Sequence, residues 1–410
     1  MLTLEHTIGL LLRMAADRNG SGYDISSQNY FRDLAREIDE DLVPARKQSV
    51  SQARAKLSWR AFEFLLSRAN MEEQRLPRRL TFKGHLTRAF DGTSFYTPRS
   101  DELLEHFSPR NTKAAEGETH YPYGLLVTGI NVFTGQPVKA AIDDYRVSER
   151  DLLLRLIDQC AAGDLALLDR GLGGGRIYAA FDARNQLFIH RTKTSGERVA
   201  KYVQKFLALG KRQKKITITV TNEGGAEELI KIRLIRGPRD SDGKAIVFVT
   251  NLLSKSHYRW QEIVGLYQRR WTVETLYGRV KNLLALEKFH SRTYNGVMQE
   301  IFANLLVLSL AALAVAAVVD EDGIDVEKQL PSFKNAAESI RRHLFAVVDH
   351  RIEGKRREIV AAILAEVRHV LYRIRPGRSY ARVSMQPIKS WNLKKSAKIA
   401  AFHNGGQALA

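Results

Sequence analysis

The chain has almost no cysteine. Cys160 stands alone among 410 residues, so an intrachain disulfide and a cysteine-built zinc site are both excluded. A reducing, intracellular setting is expected. The N-terminus lacks a basic stretch ahead of an apolar one. Met1-Leu2-Thr3-Leu4-Glu5-His6 holds no Lys or Arg, and Arg13 and Asp17 interrupt the apolar residues beyond it, so no signal peptide is read. Long apolar runs are scarce. One, Ile301 to Val319, is apolar at 17 of 19 positions, just under the ~20 residues of a membrane span. Its Asn304 and Ser309 and its wealth of alanine and valine predict a core helix buried on all sides. Acids are in deficit too: 45 Asp and Glu face 64 Lys and Arg, a formal charge of +19.

What is present is a globular balance, 44% hydrophobic and 27% charged, which excludes wholesale disorder. The length allows two or three domains. The basic excess points to a polyanionic partner, nucleic acid first and an anionic membrane surface second.

Residues 1–80 read as helical. Ser49-Val50-Ser51-Gln52 has capping-box form, and Ser58 can cap the next helix, which carries Phe62, Leu65 and Leu66. Two short helices joined at Leu57-Ser58 among Arg46, Lys47, Arg54, Lys56 and Arg60 are either a helix-turn-helix or an ordinary pair with a basic face. From residue 82 the period becomes strand-like. Strands are predicted from His85 to Asp91, Leu125 to Val132 and Val138 to Ile142. Next come a helix opened by Ser148-Glu149-Arg150-Asp151, a doubly buried strand Leu165–Asp169, a helix from Ile177 and a strand Gln186–Arg191. That order makes a mixed sheet with helices packed on it.

Residues 191–215 then hold nine Lys or Arg against Glu197 alone. Strands at 216–220, 229–235 and 246–250, with turns at Gly237-Pro238 and Asp242-Gly243, form a β-rich insertion. A long helix is expected from His257 to Leu286 behind Ser256, and further helix from Ile340 to Leu371. Residues 371–400 carry eight Lys or Arg and no acid, with Tyr380 and Trp391 among them: a phosphate-contacting segment or a solvated tail.

Three acids stand out by position. Asp91 lies before Gly92-Thr93, Asp169 ends a buried strand before Arg170-Gly171, and Glu274 lies on the long helix. Each has a plain structural alternative: turn chemistry at Asp91-Gly92, pairing with Arg170, pairing with Arg270. Together they supply the oxygen ligands that hard divalent cations take, and two such cations can cleave a phosphodiester. At ~100° per residue, Tyr267, Arg270, Glu274 and Lys281 fall within one ~60° stripe of helix, beside an apolar stripe of Leu266, Val273, Val280 and Leu284. An acid for metal beside cations and a phenol for phosphate suits a DNA-cutting site; a solvated salt-bridged face is the alternative. Gly171-Leu172-Gly173-Gly174-Gly175 comes after a strand, but Arg176 breaks the dinucleotide fingerprint.

The spacing Tyr267-x-x-Arg270-x-x-x-Glu274-x-x-x-x-x-x-Lys281 resembles the Tyr-Arg-Glu-Lys signature of bacterial insertion-sequence transposases of family four, within the DDE class. Asp91-Gly92-Thr93 and Asp169-Arg170-Gly171 look like that family's two aspartate motifs. The strand order, the β insertion and Arg375-Pro376-Gly377-Arg378-Ser379-Tyr380 extend the likeness over most of residues 80–392.

The resemblance implies a ribonuclease-H-like α/β core with a mixed sheet, flanking helices, a β-rich insertion before the glutamate helix and helical terminal regions. Its divisions would be a DNA-binding region 1–80, core 81–192, insertion 193–253, core 254–322 and a basic helical region 323–410. It implies Asp91, Asp169 and Glu274 as catalytic metal ligands for two Mg2+ ions, with Mn2+ able to substitute. DNA contacts would come from Tyr267, Arg270, Lys281, Trp271, Lys211, Arg212, Lys214, Lys215, Arg375 and Arg378. The partners would be double-stranded DNA, as terminal inverted repeats and target, and a second copy of the chain; the setting would be cytoplasmic and nucleoid-associated, without membrane. In some members a Trp of the insertion steadies a flipped base. Residues 192–253 contain no Trp, so Trp260 or another ring would have to serve. A non-cleaving transposase-derived DNA-binding protein and another ribonuclease-H-like nuclease are the competing readings.

Overall fold

Valine, isoleucine, leucine, phenylalanine and threonine fill the strands of one large sheet, the composition that a pleated, two-sided core selects. The computed structural model describes residues 2–15, 22–39, 41–71, 80–109, 121–197, 199–240, 243–270, 289–326, 328–348 and 350–374. The sheet comprises β1 (Thr87–Tyr96), β2 (Tyr123–Asn131), β3 (Pro137–Asp144), β4 (Leu165–Leu168), β5 (Leu187–Thr192), β6 (Gln213–Thr221), β7 (Glu227–Arg239) and β8 (Ala245–Thr250), in the order β3-β2-β1-β4-β5-β8-β7-β6. β1, β2 and β3 are antiparallel neighbours, while β4 and β5 run parallel to β1. This is the mixed sheet that the predicted strand order calls for.

The insertion is not a separate sheet. β8 pairs with β5 and carries β7 and β6 outward, so the predicted β-rich segment widens the core sheet. Gly237-Pro238 makes no turn either. Both residues lie inside β7, where the register slips between Arg236 and Arg239. Proline has no N–H for the ladder, and a bulge is where a strand tolerates it. β1 also runs further than its sequence suggests. It passes straight through Asp91-Gly92-Thr93, because β2 pairs with it residue for residue as far as Tyr96.

Helices cover both faces. On one side lie α6 (Glu149–Ile157), α7 (Gly175–Ala183) and α8 (Lys201–Ala208), which bury Leu152, Tyr178, Phe181 and Phe206 against Phe90, Leu168 and Phe188. Ser148 caps α6 as expected, its hydroxyl accepting from the Arg150 N–H. On the other side lie α1 (Leu4–Ala15), α2 (Tyr23–Ile38), α3 (Lys47–Lys56), α4 (Arg60–Met71), α9 (Trp260–Gln268) and α10 (Tyr294–Glu321). A short α5 (Asp101–His106) comes after β1, and β9 (Gln329–Pro331), α11 (Phe333–Val347), α12 (Arg356–His369) and β10 (Leu371–Arg373), a strand where helix was expected to reach Leu371, close the described chain.

The apolar run is the middle of α10. Its most apolar stretch is 83% buried within the protein, so its residues satisfy their hydrophobicity against the sheet and neighbouring helices. Each fully buried Leu, Val or Phe there contributes about 1.5–3 kcal/mol. The N-terminal helices are fastened to α10 by a buried cluster. Arg54 on α3 pairs with Glu300 at 2.6 Å, donates to the Gln299 side chain at 2.8 Å and to the Tyr23 hydroxyl at 2.6 Å. Burial alone would raise the Glu300 carboxyl, but Arg54 and His290 hold it below its ordinary range.

Three helix boundaries differ from the periodicity reading. α3 starts at Lys47, two residues before Ser49, because the Asp24 carboxylate on α2 takes the Lys47 N–H at 2.9 Å. α9 starts at Trp260, where the Glu262 side chain accepts from the Arg259 N–H at 2.9 Å. Ser254 to Tyr258 form a turn before it. The C-terminal helix is two helices, separated by a 3-10 turn over His350–Lys355 that contains Gly354.

Candidate active site

Phe90 and Leu168 are register partners in the parallel ladder between β1 and β4. Asp91 comes next along β1 and Asp169 directly after β4, so their backbones stand about one strand spacing apart, ~4.8 Å. Side chains alternate across a sheet. Phe90 and Leu168 pack under α6 and α7, which turns Asp91 and Asp169 towards the face of α9.

α9 meets them there. The Tyr267 hydroxyl donates to the Leu168 carbonyl at 3.0 Å, fixing the helix directly over the end of β4. Burial raises the Tyr267 phenol well above its usual range, so it stays a donor. Arg270, only 8% exposed, lies beyond the last turn of α9 with its guanidinium 5.9 Å from the Tyr267 ring centre. Its charge faces Asp91.

Glu149 completes a crowd of acids from the opposite face. A Cβ at Gly92 would come within 2.6 Å of a Glu149 carboxylate oxygen, so the glycine after Asp91 leaves room for the first residue of α6. Burial pushes Asp91 up to about 6. The Gly92 N–H, bonded at 3.0 Å, and Arg270 pull it down, and the charges of Glu149 and Asp169 push it up again. Glu149 is itself raised, by desolvation and then by Asp169. Sequence reasoning treats Glu149 only as a first-turn acid of α6. The signal it lacks is that α6 begins against β1.

Asp169 enters a tight turn. The Leu172 N–H returns to the Asp169 carbonyl at 3.0 Å, and Arg150 donates to the Gly171 carbonyl at 2.8 Å. A Cβ on Gly173 would collide with the ring of His190. His190 is the β5 partner of Leu168 and is buried, with Nδ1 2.5 Å from the Tyr178 hydroxyl. Burial lowers its pKa to about 4, so it packs as a neutral ring. The glycine run therefore serves close packing behind Asp169.

Glu274, Lys281, Trp271, Arg375 and Arg378 lie outside the described residues. Among the described residues, no group of three or more His, Cys, Asp or Glu is placed to hold a metal ion. The donors that are described nonetheless suit a hard divalent cation. They are carboxylate oxygens crowded together, and their mutual repulsion is what a bound cation would relieve.

The remaining predicted DNA contacts sit on the outer edge of the sheet. Lys211, Lys214 and Lys215 are exposed at the start of β6. Lys214 pairs with Leu234, Leu234 with Val249, Val249 with His190 and His190 with Leu168. These lysines are therefore level with the carboxylates, four strand spacings or ~19 Å away. Arg212 differs. Its guanidinium lies 4.6 Å from the Trp260 ring centre, so the ring proposed to receive a base is covered by an arginine.

A family model described as "Transposase DDE domain" matches residues 82–310, a span that includes Asp91, Asp169 and Glu274. A relative from Escherichia coli (strain K12), "Transposase InsG for insertion sequence element IS4", is 24% identical over 229 residues, covering 54% of this chain and 50% of its own length. The chain thus spans about half the length of that relative. A solved structure, "Cryo-EM structure of piggyBac transposase synaptic complex with hairpin DNA (SNHP)", aligns at a TM-score of 0.42 and 10% identity, covering 97% of this chain and 82% of its own.

Proposed function

The chain belongs to the transposase DDE-domain family, and from that premise we propose that it is a DNA transposase that binds the terminal repeats of its element, cuts there and joins the freed ends to target DNA. Asp91, Asp169 and Glu274 would hold divalent metal as two Mg2+ ions, with Mn2+ as a working substitute. Bound ions at such a site lower the pKa of an attacking water or hydroxyl and steady the leaving oxygen. The observation that carries the reading is the adjacency of Asp91, within β1, to Asp169, at the end of the parallel neighbour β4, beside Tyr267 and Arg270.

Each residue's part comes from its chemistry. Asp91 lies in β1 and Asp169 directly follows β4, so the ladder that pairs Phe90 with Leu168 brings the two acids together. Arg270 lies against Asp91 and offers a planar fork to a phosphate brought to the metal ligands. Tyr267 holds α9 on β4 and so fixes where that fork points. Lys281 and Trp271 would extend the grip along the strand being cut. Lys211, Lys214 and Lys215 would track the duplex ~19 Å further on, about six base pairs at 3.4 Å each. Residues 1–80, with the α3–α4 pair, would recognise the element end, and Arg375 and Arg378 would add phosphate contacts. The reaction would take place in the cytoplasm on nucleoid DNA, with two copies of the chain holding paired ends.

Purified protein should nick duplex DNA carrying its own element ends in Mg2+ or Mn2+. Asp169→Asn and Glu274→Gln should lose cleavage while still binding that DNA. Full activity in either variant would overturn the site. End-specific binding by the unaltered chain with no cleavage in either metal would make it a non-cutting binding protein.

A further inference from the structure

A cleft lies beside the carboxylates and takes no part in the chemistry assigned to them. It encloses about 520 Å³, walled by Arg170, Arg191, Lys193, Thr194, Ser195 and Lys244, with Asp240 as its acid. Four cations against one carboxylate leave a net charge of +3. The walls are built rather than adventitious. Arg191 lies 3.7 Å from Asp240, and the Asp240 side chain accepts the Lys244 N–H at 2.8 Å. Thr194 donates to the Ala245 carbonyl at 2.7 Å, closing the end of β5 onto the start of β8.

The register sets its position. Leu168 and His190 are partners, so Asp169 and Arg191 stand side by side one residue further along. Arg191 in turn pairs with Phe248 on β8, whose strand starts at Ala245 just after Lys244. The cleft therefore continues, across β5 and β8, the end of β4 at which Asp169 lies. Two strand spacings, ~10 Å, separate β4 from β8, the rise of about three nucleotides at 3.4 Å each. Guanidinium groups from Arg170 and Arg191, ammonium groups from Lys193 and Lys244 and the Ser195 hydroxyl match a phosphodiester, which takes forked and point-like donors together.

We propose that this cleft binds the phosphodiester backbone of the strand being cut, within about three nucleotides of the scissile bond. It is separate from the lysines of β6. The assignment rests on the reading of Asp91 and Asp169 as the cutting centre, and its test is separable from the test of that centre.

The test compares full-length Asp169→Asn protein with the same protein carrying Lys193→Gln/Lys244→Gln or Arg191→Gln/Lys193→Gln/Lys244→Gln. The double variant keeps the Arg191–Asp240 pair should the triple fail to fold. The probe is duplex DNA from the end of its own element, and affinity is read across a salt series. Each lost phosphate contact lowers the slope of log affinity against log salt by about 0.9, so the slope should fall by about 2 in the double variant and about 3 in the triple. Ethylation of phosphates next to the cut should weaken binding of Asp169→Asn protein and lose that effect in the variants. An unchanged slope in folded variants overturns the proposal. So does saturable binding of inorganic phosphate that the variants lose while DNA binding is untouched, which would make the cleft a free-anion site. Cleavage by Asp169→Asn would instead condemn the cutting centre and leave the slope result to judge the cleft.

Discussion

The Tyr267 hydroxyl donates a 3.0 Å hydrogen bond to the carbonyl of Leu168, the residue immediately before Asp169. A side chain of the signature helix is thus tied to the backbone that carries the second aspartate. Tyr267→Phe removes the donor and with it this hydrogen bond, a net loss of ~0.5–1.5 kcal/mol. Urea unfolding should show that loss. Single-turnover cleavage should slow more than DNA binding weakens, because the metal ligands and Arg270 lose their common reference.

Asp91 is poised for a pH-dependent exchange. Its carboxyl titrates at about 6, above its usual 3.8, so the folded protein holds that proton more tightly than the unfolded chain does. The stability this adds is present below pH ~4 and is lost as pH rises through about 6. In EDTA, Asp91→Asn should therefore exceed the unaltered protein in urea midpoint, by a wider margin at about pH 8 than at about pH 5. Added Mg2+ should stabilise the unaltered protein and leave the variant nearly unmoved. An equal margin at both pH values would contradict the assignment of Asp91 as a strained, metal-seeking carboxylate.

The Arg54–Glu300 pair predicts how firmly the N-terminal helices are held. Arg54→Met strands a buried carboxylate, a loss of ~3–5 kcal/mol. Arg54→Met/Glu300→Met should recover part of that loss in the same unfolding experiment, since the buried charge is gone although the His290 and Ser291 N–H groups lose their acceptor. A double variant no more stable than Arg54→Met would mean that the cluster's hydrogen bonds, and not the pairing of its charges, hold α3 on α10.

Gly173 should tolerate nothing larger. Alanine there meets the His190 ring, and overpacking of this kind costs ~1–3 kcal/mol. Gly173→Ala should be destabilised and slow to cut, because the displaced turn begins at Asp169. Gly173→Ala/His190→Ala should regain part of the stability, measured as a two-variant cycle.

Much of this arrangement was legible in the residues. Leu165-Ala166-Leu167-Leu168 reads as a strand buried on both faces, Ser148 as a cap and the 301–319 run as a core helix, because each is governed by local chemistry. What the sequence alone could not show depended on pairing at a distance. β1 continues past Asp91 because β2 accompanies it, Pro238 stays within β7 because a bulge absorbs it, and the insertion joins the core sheet because β8 finds β5. The same holds at the site. Asp91 and Asp169 could be nominated from their motifs, but the approach of Glu149 to Gly92, the packing of His190 behind the glycine run and the cover of Arg212 over Trp260 come from three-dimensional neighbours. Glu274, which carries the strongest motif, lies outside the described residues.

If Asp91, Asp169 and Glu274 together hold divalent metal, Mn2+ binding measured by calorimetry or electron paramagnetic resonance shows it without DNA or turnover. The unaltered chain should bind Mn2+ saturably, with a loss of about tenfold or more, at least ~1.4 kcal/mol, in each of Asp91→Asn, Asp169→Asn and Glu274→Gln. Unchanged Mn2+ affinity in all three folded variants would contradict it.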